Sequence, residues 1–481
     1  MAYRDLLEFM ARLESLGELL RIKEAVSPDL EIAEITARVS RKGGPALLFE
    51  NVKCYEVPVL TNAFGSMKRM GLALETPDLD KLAAGVWNFL KHHTTAGGGA
   101  ISGTKRDAGH MEPFSPVINE AGECQEVVFE GDAVDLGMLP VLKCWPGDAG
   151  PFITLPLVFT KDPATGARNV GMYRMQVYSR NTLGMHWYPG KGGAGHYRSA
   201  EERGMPLEAA VAIGPDPVMT YAASAPLPEG VDEVLFAGFL RKAPVELVRC
   251  RSVDLQVPAC AQIVLEGYLR PGERRLEGPC GNHTGCYSLR EEYPVFHVRC
   301  ITMRKDAVYP ATVPGPPPQE DCFLAKATER LFLPVLKATL PGIVDINFPV
   351  EGIFNNIAFV SIKKDFPGHA RKVVEQLWEM EGFKHRKAIF VFDMDVDVQD
   401  LSQVLWRFGN NIDPERDVWF SSGPADPLNP AVSVPGRGSR MGVDCTRKWT
   451  GEDYHRDWPE EIRMDPEIVA RVDELWKRMG L

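Results

Sequence analysis

Two side chains able to share chemistry lie far apart in the chain, an arginine in "RNVGMYRMQVYSR" and an acid in "RRLEGPCGNHTGCYSL". Arg174 has apolar neighbours, and Glu277 stands against Gly278 and Pro279 with Gly281 and Gly285 close behind. A guanidinium among apolar groups needs an anion, either a ligand carboxylate or a protein acid. A carboxylate in an apolar pocket is pulled two ways. Desolvation disfavours its charge and a nearby arginine favours it, and the balance can leave an acid that exchanges protons near neutrality. Each residue also has a plainer reading, an arginine at a sheet edge reaching water and a solvated loop carboxylate, and spacing leaves both open. "SAPLPEGVDEVLFAGFL" adds Glu229, Asp232 and Glu233 before an amphipathic run. These read as helix N-terminal acids favoured by the backbone dipole, or as oxygen ligands for a hard cation.

Other chemistry finds less support. Residues 94–113, "TTAGGGAISGTKRDAGHMEP", contain G-x-x-x-x-G, but the following Thr-Lys reverses the order of a phosphate loop and no strong strand leads into it. The ten cysteines include no Cys-x-x-Cys pair and are expected as buried free thiols. Cys280 and Cys286 flank the acid loop, and a nucleophilic role for either would need His283 as base.

The elements that must position these groups follow from periodicity. Leu6, Leu7, Phe9, Met10, Leu13, Leu16, Leu19 and Leu20 are spaced for a helix over 5–20, and "SPDLEIAEITARVS" for a second. With strands at "ALLFENV" and "VPVLTN", they predict an N-terminal α/β unit to about residue 115, with 94–113 as its exit linker. From about 125 to 310 strands dominate: "FITLPLVFT", "NVGMYRMQVYS", "TLGMHWY", "AQIVLEGYL" and "PVFHVRCITMR" predict an antiparallel sheet or barrel, with helices at "SAEERG" and "DEVLFAGFLR". Alternation along one strand puts Asn169, Gly171, Tyr173 and Met175 on one face and Val170, Met172, Arg174 and Gln176 on the other. After residue 320, helix and strand alternate as in a second α/β domain with a partly parallel sheet, and "PEEIRMDPEIVARVDELWKRMGL" reads as a capped amphipathic helix suited to dock on another subunit.

The chain has 481 residues, room for two or three domains, with 44% hydrophobic and 25% charged residues. Its formal net charge of -11 argues against nucleic acid and anionic membrane surfaces. No apolar run approaches the roughly 20 residues of a membrane span, and the N-terminus lacks a signal-peptide pattern. The expected location is cytoplasmic.

The runs "NVGMYRMQ", "SAPLPEGVDEVLFAG", "VLEGYLRPGERRLEGPCGNHTGCYSL", "PVFHV" and "GSRMGVDCTRKW" closely resemble the UbiD family of prenylated-flavin-dependent decarboxylases, in order and over nearly the whole chain. The resemblance implies an α/β (α+β) multidomain fold: an N-terminal α/β domain at 1–115, a split β-barrel binding prenylated FMN at 116–310, a C-terminal α/β oligomerisation domain at 311–460 and a docking helix at 461–481. It implies reversible, non-oxidative decarboxylation of an aromatic, heteroaromatic or α,β-unsaturated carboxylic acid, with carbon dioxide as co-product. Prenylated FMN, Mn2+ or Mg2+, and K+ are the implied cofactors, with a flavin prenyltransferase as supplier and a homo-oligomer, dimer or hexamer, as the working form.

By position, Arg174 and Glu277 resemble the arginine and first acid of the family's acid–arginine–acid network. Asn169 and Glu233 resemble divalent-metal ligands that bridge to the flavin phosphate, and Val170, Ala223, Ser224 and Pro226 resemble the potassium site. Met172, Arg174, Ser224, Pro226 and Arg440 fall at cofactor-binding positions, Arg440 near the phosphate. Two departures stand out. "WYPGK" places Gly190 where relatives have a third metal ligand, His, which leaves His186, His196 or a water to replace it. Asn282 replaces the second acid and cannot donate a proton as one, so delivery falls to Glu277, a water or His283. These departures sustain a rival reading, a subunit that binds flavin or only assembles, without turnover; a plain FMN oxidoreductase would not account for the "EGP" loop. Pro430 stands where phenolic-acid members often carry a pocket histidine, which disfavours a hydroxybenzoate, and "PGPPPQED" at 314–321 is expected to border the pocket.

Overall fold

The structure is a computed structural model that describes residues 3–93, 112–188, 190 and 192–480. Most of the 94–113 linker, with its G-x-x-x-x-G, and Pro189 and Lys191 of "WYPGK" lie outside the described residues.

The first helix, Leu6–Ser15, starts where the Asp5 side chain accepts the Glu8 amide at 2.9 Å and buries Leu6, Phe9, Met10 and Leu13. It was expected to reach residue 20 but stops at Ser15: Gly17 takes a φ of +71°, and Leu19–Ile22 becomes a strand parallel to Ala46–Phe49. Val59–Thr61 and Tyr309–Ala311 complete this four-stranded sheet, so its last strand comes from far along the chain. The second helix spans Glu31–Arg41.

The central region is built on a nine-stranded sheet. Its path runs through Phe152–Ile153, Met175–Ser179, Thr182–Met185, Glu291–Met303, Ile263–Glu277, Leu207–Ile213, Pro156–Lys161 and Arg168–Met172, with Val127–Glu130 added to the Glu291–Met303 strand. Here the sequence reading needs correction. The expected single strand over 169–179 is two strands, one at the far end of the path and one near its beginning, separated only by Tyr173 and Arg174. "FITLPLVFT" divides in the same way between Ile153 and Pro156. Three residue steps span at most about 11 Å, so the sheet must curl until its ends approach each other at these two crossings. Alternation does not carry across such a break. Arg174 therefore sits at the corner between strands and does not share one strand face with Val170, Met172 and Gln176 as expected.

Val158, Phe159, Val211, Leu265, Phe296 and Ile301 are buried in the curled sheet. Truncating Phe159 or Phe296 to alanine would cost about 3–5 kcal/mol. The expected helices appear as Gly192–Glu202 and Glu233–Arg241, the latter capped by Asp232, which accepts the Val234 amide at 2.8 Å.

The C-terminal region carries a five-stranded sheet in the order Ile343–Asn347, Ile357–Ile362, Ala388–Asp393, Arg437–Asp444, Val418–Pro424. Its three central strands are parallel and both edges antiparallel, which agrees with the helix–strand alternation. The last helix, Pro466–Met479, runs from an Asp465 cap to Gly480 at φ +69°, and none of its residues is buried. Among the described residues no helix is long and apolar enough to cross a membrane.

Candidate active site

Arg174, at the corner between the two sheet ends, meets Glu277, the last residue of the Ile263–Glu277 strand. Glu277 is thus held by the sheet at the mouth of the loop that follows. Arg174 donates from Nε at 3.0 Å and from Nη2 at 2.8 Å, both to Oε1 of Glu277. His186 Nδ1 meets the same oxygen at 3.0 Å. Oε2 of Glu277 is buried with no hydrogen-bond partner, and so is Nε2 of His186. The Glu277 side chain is 0% exposed and that of Arg174 16%, so the pair is dry on the acid's side and open on the arginine's. Burial opposes the charge of Arg174, but the Glu277 carboxylate more than offsets it and holds the guanidinium above its ordinary value. Burial pushes the His186 imidazole below its ordinary value against the pull of Glu277, with Arg174 adding to the depression. Aromatic rings close the site: Tyr293 lies 4.2 Å and Tyr188 5.0 Å from the His186 ring. Burial raises both phenols, which keeps them protonated.

The loop after Glu277 is gripped from several sides. Gly278 has a φ of +90°, open only to glycine, and its amide donates to Gln176 Oε1 at 2.8 Å. Asp148 accepts the amides of Gly281 at 2.7 Å, Trp145 at 2.9 Å and Cys144 at 3.1 Å. A Cβ on Gly281 would lie 2.2 Å from Trp145, whose indole fills that space and donates to Pro314 O at 2.7 Å. Trp145 thereby joins the acid loop to the 314–321 segment. Ser288 Oγ accepts the Cys280 amide at 3.1 Å and lies 3.4 Å from Arg174 Nη2. Asp148, Trp145 and Ser288 escaped the sequence reading; "CWPGDAG", an acid in a Pro-Gly turn, was the available signal for the first two.

Asn282 and His283 do not join Glu277 by a hydrogen bond. The Asn282 amide oxygen accepts Thr284 N at 2.8 Å and Thr284 Oγ1 at 2.6 Å in a local turn. His283 lies 5.2 Å from the Phe354 ring, beside Asp321. Cys280 is buried, its thiol pushed up to about 12, unsuited to act as a nucleophile; Cys286 is exposed.

A second group forms where the Arg168–Met172 strand meets two helices. Glu233 Oε2 accepts the Val170 amide at 3.1 Å, and burial pushes its carboxyl up to about 7. Asn169 Nδ2 and Arg168 Nε are buried without partners. A Cβ on Gly192 would lie 1.8 Å from Asn169 Oδ1, so the helix and strand meet this closely only with glycine. Asn169 faces Thr160 across the ladder, and Thr160 Oγ1 meets His196 Nδ1 at 2.9 Å. The two candidate substitutes for the ligand missing at Gly190 thus separate: His186 goes to Glu277, and His196 to the Asn169 side. Among the described residues no three His, Cys, Asp or Glu side chains gather as a metal cage. Orphaned donors beside a desolvated carboxylate suit a phosphate joined to a cation, the donors taking the anion and Glu233 the metal.

Met172 packs partly buried against the core across from Leu157. Ala223 ends the helix Pro217–Ala222, Ser224 Oγ donates back to Tyr221 O at 2.8 Å, and Pro226 is exposed. Arg440 lies in the C-terminal sheet, 4.6 Å from the Trp378 ring and 3.4 Å from Lys384 O, with Nε buried and unpartnered.

This fold and site define the UbiD family, to which the chain belongs. Residues 10–85, 116–317 and 322–445 match the N-terminal, Rift-related and C-terminal domain models of 3-octaprenyl-4-hydroxybenzoate carboxy-lyase. An uncharacterized protein of Archaeoglobus fulgidus is 48% identical over 481 residues, covering 100% of this chain and 99% of its own. Vanillic acid decarboxylase of Sedimentibacter hydroxybenzoicus in closed form superposes with a TM-score of 0.87 at 29% identity, covering 99% of this chain and 100% of that one. HmfF of Pelotomaculum thermopropionicum, a UbiD-class enzyme solved in complex with FMN, gives a TM-score of 0.82 at 28% identity, over 97% and 98% of the two chains. An evolved dimeric form of HmfF with prFMN gives 0.80 at 29%, over the same shares.

Proposed function

We propose that this chain is a reversible decarboxylase of an aromatic, heteroaromatic or α,β-unsaturated carboxylic acid that uses prenylated FMN. The observation that carries the reading is the convergence of Arg174 on one oxygen of Glu277 while the other oxygen, equally buried, is left bare. Leaving one oxygen of a dry carboxylate unpaired costs free energy unless another group meets it there. A bare oxygen on a held carboxyl is where a proton can be carried and delivered.

In this reading Glu233 and the side-chain oxygen of Asn169 would hold Mn2+ or Mg2+, Arg168 would meet the flavin phosphate with its free Nε, and His196 would be the candidate to replace the missing third ligand. The carbonyls of Val170, Ala223 and Pro226, with Ser224, would hold K+; Ala223 follows the C-terminal end of the Pro217–Ala222 helix, where the backbone dipole favours a cation. Met172 would line the flavin, and Arg440, held against Trp378 in the C-terminal sheet, would be a phosphate-binding residue. Once bound, prenylated FMN supplies the sink for the electrons left when carbon dioxide departs. Arg174 orients the substrate carboxylate from its solvent-accessible side. Glu277 delivers the proton from Oε2 to the carbon that lost carbon dioxide, so that one carbon–carbon bond breaks and one carbon–hydrogen bond forms. Tyr188 and Tyr293 keep water from competing. Residues 1–115, 116–310, 311–460 and 461–481 act as N-terminal, flavin-binding, oligomerisation and docking units, in a homo-oligomer supplied by a flavin prenyltransferase.

The test is co-expression with a flavin prenyltransferase, then absorbance and mass spectra of the purified protein and a screen of aromatic and unsaturated acids for carbon dioxide release. Prenylated FMN with release from at least one acid is expected. Unmodified FMN, or a loaded protein inert toward every acid, would return the reading to a flavin-binding or assembly subunit.

A further inference from the structure

We propose that His186 is the positioning residue that decides which oxygen of Glu277 carries the proton. The inference rests on the decarboxylase reading. Oε1 of Glu277 already accepts two N–H groups of Arg174, so it is an acceptor toward His186 as well, and His186 must carry its hydrogen on Nδ1. Three donors then converge on an oxygen with two lone pairs. That oxygen is saturated and holds the negative charge, while Oε2 is bare and buried. A proton arriving at this carboxyl goes to Oε2, the one free acceptor. Arg174 alone would do this less firmly, because it is the more open member of the pair and is also asked to meet the substrate.

The surroundings of His186 support a fixed, neutral donor. The groups that face it are Arg174 from the strand corner, Glu277 from the adjacent strand end, Tyr188 from its own segment, and Tyr293 and Glu291 from the opposite strand. Glu291 is tied by Tyr293, whose hydroxyl donates to it at 2.7 Å. The imidazole is 4% exposed and packed between rings, so it cannot swing to solvent to exchange Nδ1 for Nε2. Nε2 itself has no partner, which leaves Nδ1 as the working nitrogen.

The experiment compares His186→Leu and His186→Gln, which remove the donor at Nδ1, with His186→Asn, whose amide nitrogen can occupy the Nδ1 place. In loaded enzyme the first two should lose kcat on the order of 10²-fold with KM within about threefold, and His186→Asn should stay within about threefold of wild type in both. A second readout needs neither cofactor nor turnover. The carboxylate stretching band of Glu277 in pH-difference infrared spectra of the flavin-free protein, assigned by its loss in Glu277→Gln, should move in His186→Leu and His186→Gln and stay in His186→Asn. An unmoved band in the donorless variants, or a His186→Asn as impaired as they are, would overturn the proposal; His186→Gln decides if His186→Leu fails to fold. Should no acid be decarboxylated by loaded wild type, the band still judges the His186–Glu277 link while the activity reading alone fails.

Discussion

Two glutamates of this protein are almost equally buried and oppositely bonded. Glu320 is 3% exposed and Glu277 1%. Glu320, at the start of the helix Glu320–Thr339, spreads its load: Oε2 accepts the Asn62 amide at 3.0 Å and Oε1 the Phe64 amide at 2.9 Å. It ties that helix to the N-terminal "TNAFG" turn, where Asn62 takes a φ of +58°. Glu277 concentrates three donors on one oxygen and leaves the other with none. Burial alone therefore does not mark a reacting acid. The division of donors between the two oxygens separates them: Glu320 keeps free acceptor capacity on both oxygens, whereas at Glu277 it lies on Oε2 alone.

The comparison can be broken most decisively at Glu277. Glu277→Gln keeps an acceptor for Arg174 but cannot give up a proton as an acid, so turnover should fall by about 10³-fold or more with flavin still bound. Turnover within tenfold of wild type would strip Glu277 of its part. Glu320→Ala should do the reverse, leaving two buried amides unpaired at a cost on the order of 3 kcal/mol in denaturant unfolding, with kcat changed little in the folded fraction. The same residue sharpens the contrast through pH. Burial raises Glu320 from 4.5 to about 7, so between those values the folded state holds a proton that the unfolded state has released. Stability from this group must then fall as pH rises through the window, and its full penalty is present above about 7. Glu320→Gln should flatten that slope relative to wild type, and an unchanged slope would show that Glu320 does not titrate there. The smallest effect belongs to Ser288→Ala, which loses only the acceptor for the Cys280 amide and the 3.4 Å contact to Arg174. About 1 kcal/mol or less of stability and a few-fold in kcat are expected; a loss rivalling that of Glu277→Gln would mean that the loop, and not the acid, limits the reaction.

Much of the architecture was legible in advance. The N-terminal unit, the strand-rich centre and the helix–strand alternation after residue 320 follow from hydrophobic period. Arg174 and Glu277 could be singled out because each is a costly group among apolar or glycine-rich neighbours. The long strand through Arg174 was misread because alternation continues smoothly across Tyr173 in the sequence while the chain crosses there from one end of the sheet to the other. His186 passed as a spare metal ligand, since nothing in "TLGMHWY" tells which distant acid its ring will meet. Nor does a glycine at 281 say who fills the space of its missing Cβ, which the fold gives to Trp145.

By itself, then, the order of residues determined which local elements form and which side chains cannot be buried without a partner, since period, capping and desolvation act over a few neighbouring positions. Only the tertiary structure decided who those partners are. The curl of one sheet brings residues 174, 186 and 277 to a single oxygen, and such pairing depends on strand register across the whole sheet, which no short stretch of chain encodes.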